Sequence, residues 1–208
     1  MTKALILNSA VTGHASVSKR LTAAFADELK ARDPQTTIVT RDLGANPVPH
    51  LLPETVAGIR STATTETEKA ALALSDELVD ELREIDLLVI GAPMYNFGIP
   101  SGLKTWFDYI LRAGVTFRYT ENGPEGLLPV KKAVVVETRG GLYSEGPAVA
   151  MDSQEPHLRT LLGFMGVTDV VFVRAEKLGF GPEAVQAAVD KALAELNVCA
   201  EREVALAA

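Results

Sequence analysis

The sequence predicts a doubly wound α/β fold, a five-stranded parallel sheet with helices on both faces. Short aliphatic runs alternate with longer segments of helical period from one end of the chain to the other. Each run is apolar at successive positions, the pattern of a strand covered on both faces and so of a parallel sheet. The chain has 208 residues, 47% hydrophobic and 23% charged, with neither an internal repeat nor a low-complexity linker, so residues 1–208 are read as one domain.

The elements run in order along the chain. Lys3-Ala4-Leu5-Ile6-Leu7 is the first strand, and Val17, Leu21, Phe25 and Leu29 recur at spacing four as one stripe of a helix. Thr37 to Thr40 is the second strand. Leu74, Leu78 and Leu82 stripe the next helix and lead into the third strand, Asp86 to Ile90. Leu103 to Leu111 reads as helix and Ala133 to Val136 as the fourth strand. A helix carrying Leu158, Leu161, Leu162 and Met165, a fifth strand from Val170 to Val173, and a helix carrying Val185, Val189, Leu193 and Leu196 complete the alternation. Two segments exceed this plan: residues 44–65, with Pro47, Pro49 and Pro53 and then a threonine-rich piece, and residues 114–130, GVTFRYTENGPEGLLPV. Long insertions of this kind serve as lids or interfaces about as often as they are plain surface loops.

Bulk properties exclude several functions. A formal net charge of −7 argues against a nucleic-acid-binding surface. A single cysteine, Cys199, closes no intrachain disulfide, which fits a reducing compartment, and MTKALILNSA lacks the layout of a signal peptide. No apolar stretch reaches membrane-spanning length, so a cytoplasmic protein is expected. His14, His50 and His157 are scattered, read as isolated surface-loop residues, and offer no metal-ligand spacing.

Open α/β sheets bind ligands beyond the carboxyl ends of their strands, where strand order reverses. In the order 2-1-3-4-5, used by flavodoxin for its flavin mononucleotide, the loops after strands one, three and four converge there. The first, Asn8 to Ser18, holds Ser9, Thr12, Ser16 and Ser18 and opens into a helix, which suits a single terminal phosphate. It carries neither the P-loop lysine nor the GxGxxG fingerprint, so Asp42, placed after strand two, is weak support for a dinucleotide. The second, in LLVIGAPMYNFGIPSGLK, sets Met94, Tyr95, Asn96 and Phe97 among Gly91, Pro93, Gly98, Pro100 and Gly102. Flat and soft side chains there suit a planar aromatic ring, with Asn96 able to donate and accept. The third, Thr138-Arg139-Gly140-Gly141-Leu142-Tyr143, frees backbone amides for a ring carbonyl and offers Arg139 to offset negative charge. Gly179-Phe180-Gly181-Pro182 reads as the start of the last helix, and Trp106, Phe107 and Tyr109 as core or dimer packing.

APMYNF, SGLKTWFDYILRAGVTFRYTENGPEGLLP, Thr-Arg-Gly-Gly after the next strand, and GFGPEA near the C-terminus together closely resemble the FMN-dependent NADH-azoreductase family of flavodoxin-like fold, also described as NADH:quinone oxidoreductases. The resemblance runs nearly end to end. It implies homodimers with one FMN per subunit near the dimer interface. Ser16, Val17 and Ser18 would hold the phosphate, Met94 to Phe97 would line the isoalloxazine, and Thr138, Arg139, Gly140 and Gly141 would form the facing turn. Phe117, Tyr119 and Phe164 would shape the substrate pocket, partly across the dimer, and Tyr143 falls where relatives vary in a way that bears on substrate preference. Ala10 stands where the family usually has a phosphate-side serine, leaving Ser9 as its substitute, and Thr138 replaces a serine but keeps the hydroxyl.

The expected activity is a hydride relay from NADH through bound FMN to quinones and aromatic azo compounds, with no side-chain nucleophile. Two other readings stay open: a flavodoxin-like electron carrier without NADH turnover, and a non-flavin nucleotide-binding regulatory module. The insertion at 114–130 favours the enzyme over the carrier, and Ala10 gives the regulatory module some support.

Overall fold

A computed structural model describes residues 2–207. The central sheet is built from β1 (Lys3–Asn8), β2 (Thr37–Asp42), β3 (Leu87–Pro93), β6 (Lys132–Thr138) and β7 (Asp169–Ala175), all parallel, in the order β2-β1-β3-β6-β7. This is the expected order 2-1-3-4-5, because β4 (Phe117–Thr120) and β5 (Gly123–Gly126) form a separate antiparallel hairpin. The helices are α1 (Val17–Arg32), α2 (Pro53–Arg60), α3 (Glu66–Arg83), α4 (Ser101–Ile110), α5 (Glu155–Phe164) and α6 (Pro182–Ala207).

Alternation along the strands builds a core on each face. Ala4, Ile6, Val89 and Val134 pack against Leu21, Phe25 and Leu29 of α1 and Val189, Ala192 and Leu196 of α6. Leu5, Leu7, Ile90 and Val135 face the other way, onto α2 to α5. The valine, leucine, isoleucine and phenylalanine side chains among them, buried this fully, each contribute about 2 kcal/mol of transfer free energy. Trp106, Phe107 and Tyr109 lie within that second core, as the helical spacing predicts. Cys199, on α6, is buried against the first core, and burial pushes its thiol up.

Both unplanned segments contain structure of their own. Residues 44–65 hold α2, with Pro53 at its first turn, where a missing N–H costs nothing. Thr65 then caps α3 in a reciprocal pair with Glu68, whose carboxyl accepts from Thr64 and Thr65 and is pulled down to about 2. Residues 114–130 hold the β4–β5 hairpin, which meets α5 at Gly126; a Cβ there would lie 2.1 Å from Gly166 N.

Two sequence expectations need correction. The third strand does not stop at Ile90 but runs on through Gly91 and Ala92 to Pro93, because β6 pairs with it that far. Gly91 is a close-approach residue, since a Cβ on it would meet Asn8 Oδ1 at 2.9 Å. Nor is His157 a loop residue: it sits half-buried in α5, where burial and Lys104 on α4 hold its imidazole below the usual value against the pull of Asp108.

Candidate functional site

The loops after β1, β3 and β6 meet at the carboxyl edge of the sheet and are tied to one another. Tyr95 Oη accepts from Val11 N at 3.2 Å, joining the second loop to the first. The Phe97 and Tyr143 rings meet edge to face with centroids 6.1 Å apart, joining the second to the third. Ser153 N donates to Phe97 O at 3.0 Å, so α5 also begins at this cluster.

In the first loop a short 3-10 turn, Gly13–Ala15, delivers the chain to Ser16, which caps α1 by accepting from Lys19 N at 3.2 Å. Ser16 Oγ and Ser18 Oγ lie 3.0 Å apart, both nearly buried. The N–H groups of Val17 and Ser18 stand in the first turn, where a helix provides no internal acceptor, and among the described residues they meet none. Ser9 departs from expectation: its hydroxyl donates to Gly91 O at 2.7 Å, so its hydrogen is committed to the sheet and does not replace the serine absent at Ala10. Asp42 is likewise engaged. Burial works to raise its carboxyl, but Lys19 Nζ at 2.6 Å and the N–H groups of Ala45 and Gly44 hold it below the ordinary range.

The second loop is a reverse turn in which Tyr95 N donates to Gly98 O and Gly98 N to Tyr95 O. Both central residues are left-handed, Asn96 at φ +48° and Phe97 at φ +72°. That backbone suits Asn-Gly; a phenylalanine there is strained by about 1 kcal/mol or more. Phe97 is 41% exposed. Asn96 is exposed, and Met94 and Tyr95 are half-buried.

The third loop has its carbonyls turned away from the crevice. Those of Arg139, Gly140 and Gly141 accept from Leu178, Gly179 and Lys177 N–H at 3.1, 2.9 and 2.9 Å. The N–H groups of Gly140, Gly141 and Leu142 donate to no acceptor among the described residues, and the space a Cβ would fill on Gly140 is open. Thr138 O accepts from Met94 N at 2.8 Å.

The Arg139 side chain overturns its sequence reading. The guanidinium is wholly buried beneath the loop, 2.6 Å from Glu137, 3.0 Å from Asp152 and 3.2 Å from Glu176, with its Nε donating to Gln154 Oε1 at 3.0 Å. Four acceptors hold it inside, so it cannot also offset charge in the crevice. Gln154 carries the link on to Ala92 O at 2.9 Å. Burial, aided by Glu155 and Asp152, pushes the Glu137 carboxyl up to about 8 in spite of Arg139, and Glu137 Oε1 has no hydrogen-bond partner among the described residues. Sequence reading missed Glu137, Gln154 and Glu176. A charged residue inside the apolar run Ala133-Val134-Val135-Val136-Glu137, two positions before an arginine, was the available signal, since residues i and i+2 share a strand face.

Of the four pocket residues expected, three come together. The Phe117 ring lies 4.6 Å from Phe164 and 5.5 Å from Tyr119, centroid to centroid. They line an open cavity of 520 Å³ with Ile59, Arg60 and Arg112. Tyr143 is not among them. Helices α4 and α5 both start at the loop crevice and run away from it, and the aromatic trio sits at their far ends, roughly 15 Å down the ten residues of α5.

A model of the flavodoxin-like fold family matches residues 2–198. Over 201 residues the chain is 54% identical to an FMN-dependent NADH:quinone oxidoreductase of Hyphomonas neptunium, covering 97% of each. An azoreductase structure from Bacillus anthracis is similar at a TM-score of 0.87 and 32% identity, over 97% of this chain and 100% of that one. An FMN-dependent NADH-azoreductase of the same species, solved in complex with FMN, gives a TM-score of 0.87 at 26% identity over 98% of this chain and 100% of that one. Fold, strand order and end-to-end identity agree: the chain belongs to the family of flavodoxin-like FMN-dependent NADH:quinone oxidoreductases and azoreductases.

Proposed function

We propose that this protein is an FMN-dependent oxidoreductase that passes two electrons at a time from NADH to quinones and aromatic azo compounds. The observation that carries this is the donor set at the crevice. N–H groups with no acceptor among the described residues stand at the start of α1 and again at Gly140 to Leu142, on either side of a strained turn that carries the exposed Phe97. That combination fits a group with a phosphate at one end and a planar, carbonyl-bearing ring at the other, and it fits FMN.

Ser16, Val17 and Ser18 would hold the phosphate. Met94, Tyr95, Asn96 and Phe97 would line the ring, and Thr138, Gly140 and Gly141 would face its polar edge, with Ser9 and the Arg139 side chain acting from beneath. FMN, when bound, supplies the two-electron chemistry that no side chain here can. The protein's part is to bind, orient and keep water from the ring. A quinone becomes a quinol by taking up a hydride from NADH and one proton from solvent; cleavage of an azo bond to two amines takes two such rounds.

We further propose a homodimer in the cytoplasm. No helix among the described residues is long and apolar enough to cross a membrane, and the lone cysteine fits a reducing compartment. The aromatic trio of Phe117, Tyr119 and Phe164 would complete the acceptor site of a second copy.

The test is the visible spectrum of purified protein before and after adding FMN. Flavin bands that bleach anaerobically with NADH, and return on adding a quinone, support the reading. Protein that stays colourless in excess FMN removes it.

A further inference from the structure

The turn after β6 is held in place from the β7 side. Beyond the last sheet pairing, Arg139 N donates to Ala175 O at 2.9 Å, and Leu178, Gly179 and Lys177 then take the next three carbonyls of the turn. Lys177 is left-handed, φ +64°, at the bend that makes this possible. All three carbonyls are thereby drawn toward the β7 side, and the intervening N–H groups find no acceptor among the described residues.

Glu176 fixes the next two residues of the loop. Its Oε1 accepts from Tyr143 N at 2.8 Å, Ser144 N at 3.1 Å and Arg139 Nη1 at 3.2 Å, and its Oε2 accepts from the Ser144 hydroxyl. One half-buried carboxylate thus gathers four donors, three of them from the two residues just past Leu142. Burial opposes its charge, but Ser144, Tyr143 and Arg139 outweigh that and keep it ionised. Charge-assisted bonds to backbone N–H are the strong ones.

We propose that Glu176 is a positioning residue: by anchoring Tyr143 and Ser144 it aims the free N–H groups of Gly140, Gly141 and Leu142 at the cofactor. This rests on the reading of the chain as an FMN enzyme. Glu176 acts through the turn and through Arg139, and only its removal, not its neutralisation, frees the loop.

The experiment compares wild type with Glu176→Ala, Glu176→Gln and Glu176→Asp, each stripped of flavin and titrated with FMN. Three quantities are read: the Kd from quenching of FMN fluorescence, the two-electron midpoint potential of the bound flavin, and the melting temperature of the apoprotein. Losing a set of charge-assisted bonds is expected to raise the Kd about tenfold or more in Glu176→Ala. Its potential is expected to become more negative, because amides at the ring's carbonyl edge favour the reduced, anionic cofactor; each tenfold of that preference is about 30 mV. Glu176→Gln keeps a neutral acceptor for both N–H groups and is expected within about threefold of wild type. Glu176→Asp, one methylene short of the loop, is expected between the two, and decides the matter if Glu176→Ala does not fold. A lower melting temperature with Kd and potential unchanged overturns the proposal and leaves Glu176 a plain anchor. Wild type that binds no FMN overturns both the proposal and the reading beneath it.

Discussion

Replacing Glu137 by glutamine should make the protein more stable relative to wild type as pH rises. Glu137, Asp152, Glu155 and Glu176 surround Arg139, while Arg174 and Arg159 pair with Glu155 on the outer side. Four carboxylates against three guanidiniums would leave one negative charge over, and the carboxyl with no exposure, Glu137, is the one that keeps its proton. Burial, with Glu155 and Asp152 nearby, raises Glu137 to about 8 from an ordinary 4.5. Between those values the unfolded chain has released a proton that the folded chain retains. Wild type therefore loses stability as pH rises from 4.5 to 8, at about 1.4 kcal/mol per unit from this group. Glutamine has the same shape, stays neutral and contributes no such slope. Across the two units from pH 5.5 to 7.5, the difference in unfolding free energy between Glu137→Gln and wild type should move by up to about 3 kcal/mol in favour of the variant. Urea denaturation of both apoproteins at pH 5.5, 6.5 and 7.5 measures it. A difference that stays flat, or moves toward wild type, would mean that the ion pair with Arg139 keeps Glu137 charged and that the surplus charge lies elsewhere in the cluster.

Three further outcomes are expected. Phe97→Gly relieves a left-handed phenylalanine, so thermal stability should hold or rise by about 1 kcal/mol, while FMN affinity falls severalfold because the exposed ring is gone; calorimetry and flavin titration read the two separately. Ser18→Ala removes a hydroxyl that does not cap α1 and should weaken FMN binding by about tenfold, with a stability change under about 1 kcal/mol; an unchanged Kd would take Ser18 out of the phosphate site. Gly126→Ala drives a Cβ into the backbone of Met165 and Gly166 and should cost about 3 kcal/mol or push the hairpin off α5. Flavin binding is then expected to survive while quinone turnover drops, and a fully active variant would show that the hairpin's seat on α5 is irrelevant.

The fold was legible because it is written in period and apolarity, which survive without knowing any contact. Leu21, Phe25 and Leu29 had to share a helix face, and the runs at 3–7 and 133–136 had to be covered on both sides. The three loops were legible as places, since strand order alone assigns them to one edge. What each side chain does there was less so. Ser9 and Ser18 look alike in sequence, yet Ser9 lies next to β1 within reach of Gly91 O, while Ser18 lies beside Ser16 at a helix start. Arg139 follows the strand like a ligand-facing arginine, but Glu137 two residues earlier points to the same side and draws it inward. Such choices depend on which partner is nearer in space, and a linear pattern does not carry that. The helix in residues 53–60 is hidden in the sequence because three prolines in seven positions mask an eight-residue helix that begins on the last of them.

The distance between crevice and aromatic trio has a consequence for assembly. Phe117 opens β4 and Phe164 closes α5, and their rings pack 4.6 Å apart at the end of α5 away from the loops. Tyr119 nonetheless stands 73% exposed beside them, over a cavity of 520 Å³. Phe117 beneath it is buried, so the exposed aromatic area here is mainly the Tyr119 ring. In the proposed homodimer, an isologous contact that seated one copy's trio over its partner's crevice would do the same in reverse and cover both Tyr119 rings. On the proposed reading, the insertion at 114–130 is therefore the part of the chain that makes two half-sites into two whole ones.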